Sequence, residues 1–214
     1  MPGDLRGGAA GRGAGVVSAH DWRRCRQVAR TGTVADALRD ICSLQAGRGS
    51  FVVVPAGPDA PAAVAIRCSA AEGIAVLRRP AGRHPSGAPV PASVAREVTL
   101  ATAWLRLGLS ERLLDDCLGP TCTAAPGGEP LIGQQLVRGE LAEIRMDHLE
   151  VAAVLDAAPP SDAQLLDVHR QITGADRALL RLLGASGFVA DGPGRVAYVS
   201  ELLADTYAGG HRDV

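Results

Sequence analysis

Cysteine and histidine, the residue types most often used for metal binding and nucleophilic catalysis, are few in this chain and far apart. The cysteines are Cys25, Cys42, Cys68, Cys117 and Cys122, and the histidines are His20, His84, His148, His169 and His211. A zinc site needs clustered ligands, and only Cys117 and Cys122 lie close together, with no second pair. An odd number of scattered cysteines also argues against a disulfide framework. We therefore expect free, mostly buried thiols and no metal site.

No fingerprint of a common catalytic or nucleotide-binding loop is present. The chain lacks a Gly-x-Ser-x-Gly elbow, a Walker loop and a Rossmann fingerprint. Glycines cluster near the start of the chain, but no strand precedes them, and we predict that residues 1–15 form a flexible tail. The most informative pattern is the run Gly184-Ala-Ser-Gly-Phe188, which is followed nineteen residues later by Tyr207-Ala208-Gly209.

The composition excludes several classes of protein. The chain has 214 residues, of which 47% are hydrophobic, and its net charge is −1. It can therefore bury a core, and it has no charge excess for nucleic acid or an anionic membrane. All 22 basic residues are arginine, which indicates a GC-rich, actinobacterial-type composition rather than arginine-specific recognition. Because neither a signal peptide nor a membrane-spanning run is visible, we predict a cytoplasmic protein.

The first half of the chain predicts a small β-containing region, which we place at residues 16–92. Three short apolar runs have the composition of buried strands: Ser50–Pro55, Ala62–Arg67 and Gly73–Arg78. The stretch before them, residues 21–44, has apolar spacings that could be helical. Proline and glycine are dense between Pro80 and Pro91, which predicts a boundary there.

The second half, residues 93–210, predicts four helices joined by short connections. Apolar residues recur at helical intervals in four segments: Val94–Leu118, Pro130–Ala157, Ser161–Leu183 and Arg195–Tyr207. Ser161 is a good N-cap, and Gln164 occupies the position that a capping box requires. Long helices with short links favour an antiparallel four-helix bundle. The predicted fold class is α+β, mainly α, with a reduced β-containing N-terminal half and a helical C-terminal half.

The Gly184 and Tyr207 motifs resemble the C-terminal signature of the acyl-CoA dehydrogenase family, a G-G-x-G-Y turn followed at the same spacing by Y-E-G-T. Further matches lie in register without a gap: Gly128-Glu-Pro130-Leu131, then Gln135, then Leu141-Ala142-Glu143. The resemblance covers residues 95–210 well and residues 33–94 loosely. It implies that the four predicted helices form the family's C-terminal bundle. It also implies a truncated member that lacks the family's N-terminal helical domain.

The departures from the family pattern fall on residues that carry its chemistry. The resemblance places the family's catalytic glutamate, which removes the α-proton of the acyl thioester, at Ala208, which cannot accept a proton. Two residues that hold FAD in the family are replaced by Ala124 and Gly127, and alanine offers a pyrophosphate no charge. The remaining candidate cofactor-binding positions are Gln135, Arg181, Gly184 and Gly187. Glycines at a helix end are also common as caps, so Gly184 and Gly187 do not by themselves indicate a flavin site. We therefore expect no cofactor, with FAD as the alternative.

Two carboxylates are candidates to replace the missing base. Some family members carry the base on the first bundle helix, and Glu97 lies in that region. Such a base must be partly desolvated and within reach of the substrate, whereas an ordinary glutamate in a first helical turn serves only the helix dipole. Asp205 lies close to Ala208 and could approach the same cleft, or it could be an exposed charge on the last helix.

Three functions follow from the resemblance. The first is a non-catalytic or partner subunit of an acyl-thioester oxidoreductase, which associates with itself through the bundle or with an intact acyl-CoA dehydrogenase subunit. The second is a cofactor-independent biosynthetic enzyme, such as an isomerase, cyclase or dehydratase, that binds an acyl thioester in the vacated cleft. The third is a residual FAD-dependent acyl-CoA dehydrogenase.

Overall fold

Helices dominate the part of the chain that the computed structural model describes, namely residues 19–42, 51–55, 65–69, 73–78, 92–119, 130–157, 159–189 and 192–208. The helices in these ranges are α1 (Ala19–Thr31), α2 (Val34–Cys42), α3 (Ala92–Leu118), α4 (Gln135–Ala157), α5 (Asp162–Leu183) and α6 (Gly194–Tyr207). The strands are β1 (Phe51–Pro55), β2 (Ala65–Ser69) and β3 (Ile74–Arg78). Short 3₁₀ turns precede α4 at Leu131–Gly133 and follow α5 at Gly184–Phe188. The predicted fold class, α+β and mainly α, is confirmed.

The three strands form one antiparallel sheet in the order β1-β3-β2. Val53 of β1 lies opposite Val76 of β3, and Ile66 of β2 lies opposite the same residue on the other side. Each of the three predicted strands is therefore present among the described residues, although β2 begins three residues after the predicted start. Val53 and Ile74 are buried in the core that the sheet shares with the helices.

Helix α1 lies against α3 with its backbone unusually close. An added Cβ at Gly108 of α3 would be 2.2 Å from the Arg26 carbonyl oxygen and 2.9 Å from the Cβ of Ala29. Only glycine can fill this position without moving the helices apart, because those atoms belong to the α1 backbone and a short side chain. Trp22 and Cys25 of α1 are buried at the same interface.

Arginines of α1 reinforce this contact with ion pairs. Arg26 donates two hydrogen bonds to Glu111, at 2.6 and 2.8 Å, and its guanidinium lies 5.9 Å from the centre of the Trp104 ring. The Glu111 side chain is only 1% exposed, and it also accepts a bond from Arg145 of α4. Because a buried carboxylate is costly without partners, Glu111 ties α1 and α4 to α3.

Helix α3 is the central element of the described structure. Every residue from Ala101 to Glu111 is buried, and the helix contacts α1, α2, α4, α5 and α6. A helix that is buried on all sides has a core on every face rather than one apolar stripe. Two apolar clusters lie along it, one shared with α1, the sheet and the first half of α5, the other with the first half of α4 and the second half of α5.

The ends of α5 follow local sequence rules. The Ser161 hydroxyl accepts a hydrogen bond from the Gln164 backbone N–H, and the Gln164 side-chain oxygen accepts one from the Ser161 backbone N–H, so the predicted capping box is confirmed. Gly184 ends the helix with φ of +55°, a conformation that favours glycine.

Some predictions concern segments outside the described residues. These are the tail at residues 1–15, the boundary at residues 80–91, and the family departures at Ala124 and Gly127. Among the helices that the structure does describe, none combines the length and apolar character that crossing a bilayer requires.

Candidate functional site

Glu97 lies in a small cleft between α1, the start of α3 and the start of α5. The cleft is lined by Trp22, Ser93, Arg96, Glu97, Leu100, Pro160 and Leu165, and its volume is about 210 Å³. Pockets for drug-sized ligands usually hold about 300–1,000 Å³, so only a small group would fit here. Arg96 donates to Asp162 at 3.2 Å and to the Pro160 carbonyl oxygen, whereas Glu97 makes no ion pair with the described residues.

The last turn of α6 is held from two sides. The Tyr207 hydroxyl donates to the Val53 carbonyl oxygen at 3.0 Å and accepts from the Val53 backbone N–H at 3.2 Å. The Tyr207 carbonyl oxygen accepts a hydrogen bond from the Thr99 hydroxyl at 3.2 Å. Ala208, which is half-buried, is the C-cap residue of this helix. Asp205 is exposed on the same helix.

The candidate cofactor-binding residues lie at the opposite end of α5. Arg181 is exposed and pairs with Glu140 of α4 at 3.4 Å, and Gln135 is exposed at the first position of α4. Gly184 caps α5, and Gly187 is buried in the following turn, where Gly194 packs against its carbonyl group. These glycines therefore have structural roles in the turn between α5 and α6.

The structure places the candidate catalytic residues and the candidate cofactor-binding residues at opposite ends of the helical region. Arg96, next to Glu97, pairs with Asp162 at the start of α5, whereas Arg181 lies near the end of that helix. At about 1.5 Å per residue, these two ends of α5 are separated by roughly 28 Å. Glu97 and the last turn of α6 therefore belong to one end of the helical region, and Gln135, Arg181, Gly184 and Gly187 belong to the other.

A hydrogen-bonded network of buried polar side chains, which no sequence motif predicts, links α3, α5 and α6. Arg106 is fully buried, and it donates to the Ser200 hydroxyl at 3.1 Å, to the His169 carbonyl oxygen at 3.1 Å and to Thr173 at 2.8 Å. Ser200 in turn donates to Asp176 at 2.7 Å. The Arg106 charge thus reaches a buried carboxylate through one hydroxyl group.

Burial sets the protonation states of the ionisable groups in and beside this polar network. It raises the pKa of Asp176 to about 6, against hydrogen bonding and the positive charge of Arg106. It lowers the pKa of His169 to about 3, with Arg106 adding to the effect. His148 of α4, whose Nε2 lies 2.8 Å from the Ser110 hydroxyl, has its pKa lowered to about 4, again mainly by burial. Both histidines are therefore neutral at pH 7.

A sequence signal for these residues exists. His148 falls on the same helical phase as Leu141, Ile144 and Val151, all of them buried. Arg106 and Ser110 interrupt the apolar run of α3 at the spacing of one turn. Polar residues in register with an apolar face predict buried hydrogen-bonded groups.

Within the ranges that the structure covers, no group of three or more potential ligands could hold a metal ion.

Comparisons with known proteins identify only distant structural likenesses. No protein-family model matches the chain, and no curated protein matches it. One similar solved structure is FkbI for biosynthesis of the methoxymalonyl extender unit of the polyketide immunosuppressant Fk520, with a TM-score of 0.47, 20% identity, and coverage of 72% of this chain and 46% of that one. Another is a glutaryl-CoA dehydrogenase from Mycobacterium smegmatis in complex with FADH2, with a TM-score of 0.46, 18% identity, and coverage of 72% and 44%. The chain spans less than half the length of either structure that it matches.

Proposed function

We propose that this chain is an acyl-CoA dehydrogenase-like subunit that has lost the family's chemistry and works by assembly, with itself or with an intact acyl-CoA dehydrogenase subunit. The observation that carries the proposal is the end of α6, where Ala208 follows the anchored Tyr207. The family carries its base at this position, and a methyl group accepts no proton. In this proposal α3–α6 form the family's four-helix bundle and residues 16–92 form a reduced β-domain.

The surroundings of the candidate cofactor residues support a subunit without flavin. The Arg181 charge is already matched by Glu140, so it is less available to a pyrophosphate. Gln135 offers one exposed amide, and the neighbouring glycines serve the α5–α6 turn. The described residues therefore fit FAD poorly, and the proposed function contains no step through it.

The visible absorbance spectrum tests this proposal. We expect the chain to be colourless when it is purified alone. Any flavin recovered after co-expression with the products of its neighbouring genes should belong to a co-purified partner subunit. The variant Ala208→Glu, supplied with FAD and acyl-CoA, should remain inactive because restoring the carboxylate does not restore the flavin. A flavin band and dehydrogenase activity in the native chain would instead establish a residual FAD-dependent enzyme. A flavin band with activity only in the variant would show that the chain keeps a flavin site and has lost only the base.

A cofactor-independent enzyme is the second candidate, and the environment of Glu97 favours it. Its carboxylate lines a cleft together with Trp22, Leu100 and Leu165, so a small acyl group bound there would lie beside a side chain that can accept a proton. On this hypothesis Glu97→Gln abolishes turnover of a small acyl thioester without changing the circular dichroism spectrum. Asp167→Asn, which changes an exposed carboxylate of α5, serves as the matched control, and equal activity losses in both variants would contradict a specific role for Glu97.

A further inference from the structure

The outward face of α4 is apolar and is not covered by any described residue of this chain. The inward face carries the buried residues Leu141, Ile144, His148, Val151 and Leu155. The opposite side, which we name the α4 seam, consists of Gly139, Ala142, Met146, Leu149 and Ala153, all of them exposed. Met146 is 67% exposed and Leu149 is 52% exposed, and Leu136 beside the seam is 88% exposed. Exposed apolar side chains that are grouped on one side of a helix, rather than scattered singly, indicate an interaction surface.

The seam has the spacing of a helix–helix contact. Its residues follow one another at intervals of three, four, three and four, which is the alternation of positions a and d in paired helices. Three of the five are glycine or alanine, so a second helix could approach closely. An added Cβ at Gly139 would meet nothing within 4 Å in its own chain, so no contact inside the subunit requires this glycine.

Charges beside the seam favour one partner in one orientation. Arg138 and Arg145 lie on one flank, and Glu143 and Glu150 lie on the other. In two parallel helices, a flanking residue meets the residue five positions later on the opposite flank of the neighbouring helix. Arg138 would therefore meet the partner's Glu143, and Arg145 would meet the partner's Glu150. Antiparallel helices would bring arginine against arginine and glutamate against glutamate.

Contacts within the subunit leave the first of these pairs available. Arg138 and Glu143 are exposed, and neither forms an ion pair with the residues that the structure describes. Arg145 also bonds to Glu111 at 3.0 Å, although its side chain is 45% exposed. The Arg138–Glu143 pair is thus the better determinant of orientation.

We infer that the α4 seam binds a second copy of this chain, with the two α4 helices packed side by side in parallel around a two-fold axis. The matching of charges with the same surface on another copy is what distinguishes this partner from an unrelated apolar protein. The inference rests on the self-association proposed above and assigns its contact surface and its orientation. It does not depend on whether flavin is bound.

Light scattering after size-exclusion chromatography of the full chain tests the seam. We expect an assembly built on dimers for the native chain, and for Met146→Glu a loss of affinity of about a hundredfold or more, because two charges would meet in an apolar contact. Leu166→Glu, on the exposed face of α5, is the matched control and should assemble normally. A monomeric native chain would overturn the inference, as would assembly of Met146→Glu or dissociation of the control.

Charge reversal tests the orientation. Arg138→Glu should weaken the dimer by about tenfold, since it replaces two attractive pairs with two repulsive ones. Adding Glu143→Arg to the same chain should restore the original affinity to within about threefold. In an antiparallel pair, Arg138→Glu would instead strengthen the dimer, because it removes a repulsion between arginines. That result would overturn the parallel arrangement. The colour of each variant reports separately on the proposed function, so a yellow dimer would contradict only the loss of flavin.

Discussion

Besides Glu111, four ionisable side chains are buried in the helical interior: Arg106, His148, His169 and Asp176. Each carries a pKa displaced from its usual value mainly by burial. The Arg106 charge is balanced through Ser200 by Asp176, whereas both histidines are kept neutral. Removing one partner from such a group costs more than a surface pair would, because the remaining charge stays buried.

The two histidines make the fold sensitive to acid. Each binds its proton more weakly in the folded state, so its contribution to the free energy of unfolding is lost as pH falls from about 6.5 towards 4. Asp176, with its raised pKa, acts in the opposite sense between about 4 and 6. Unfolding in this window should therefore take up about one net proton, since two histidines outweigh one carboxylate.

Replacing His148 should remove most of this dependence. In His148→Gln the amide can still bond to Ser110, and the difference in unfolding free energy between pH 7 and pH 4.5 should shrink by roughly 2–3 kcal/mol. Urea titrations across this range measure it. Asp176→Asn provides the opposite control, because its stability should fall more steeply with acid than that of the native chain. An unchanged slope in His148→Gln would show that burial does not displace the pKa of this histidine in the folded state.

At the scale of elements, the α1–α3 contact depends on one glycine. Gly108→Ala should lower the free energy of unfolding by about 3 kcal/mol, because the new methyl group would meet the Arg26 carbonyl oxygen at 2.2 Å. Gly174→Ala, on an exposed part of α5 where an added Cβ meets nothing within 4 Å, should instead stabilise by about 0.5–1 kcal/mol through helix propensity. Denaturant unfolding of both variants compares them, and equal effects would contradict the close packing.

The edge of the sheet depends on the Tyr207 hydroxyl. β1 is an edge strand, and the Val53 N–H and carbonyl groups both bond to this hydroxyl. Tyr207→Phe removes one hydrogen bond from the Val53 N–H and one from the Val53 carbonyl oxygen. The free energy of unfolding should fall by about 1–3 kcal/mol. Amide hydrogen exchange at Val53 should become faster by at least about fivefold, while amides in the middle of α3 serve as the internal control. Unchanged exchange at Val53 would refute the edge contact.

Elements governed by local rules were predictable from the sequence, and contacts between distant elements were not. The Ser161 cap, the Gly184 stop and the apolar period of α3 all act within a few residues, so their helices begin and end close to the predicted positions. The Arg26–Glu111 pair joins residues 85 apart, and no local pattern reveals it. For the candidate site, Glu97 was identifiable by residue type and position, whereas its neighbours Trp22 and Leu165 depend on how α1 and α5 pack. The pairing of Arg181 with Glu140 depends on the packing of α4 against α5 in the same way.

At the scale of the whole molecule, α3 makes the described helices mutually dependent. It contacts each of the other five, and the two apolar clusters meet along its length. Removing any neighbour would expose part of a helix whose residues are all buried between Ala101 and Glu111. Local loss of one helix is therefore costly, and unfolding should be cooperative.

The two tryptophans of the chain provide the test, because Trp22 lies on α1 and Trp104 on α3, and both are buried in the same cluster. In Trp104→Phe the fluorescence reports α1 alone, and in Trp22→Phe it reports α3 alone. Within each variant we expect the fluorescence midpoint in urea to coincide with the midpoint from circular dichroism, although each variant will be less stable than the native chain through lost packing. If the Trp22 signal is lost at a lower urea concentration than the helical signal, α1 detaches first. The contacts at Gly108 and Glu111 would then be too weak to make α1 part of the cooperative core.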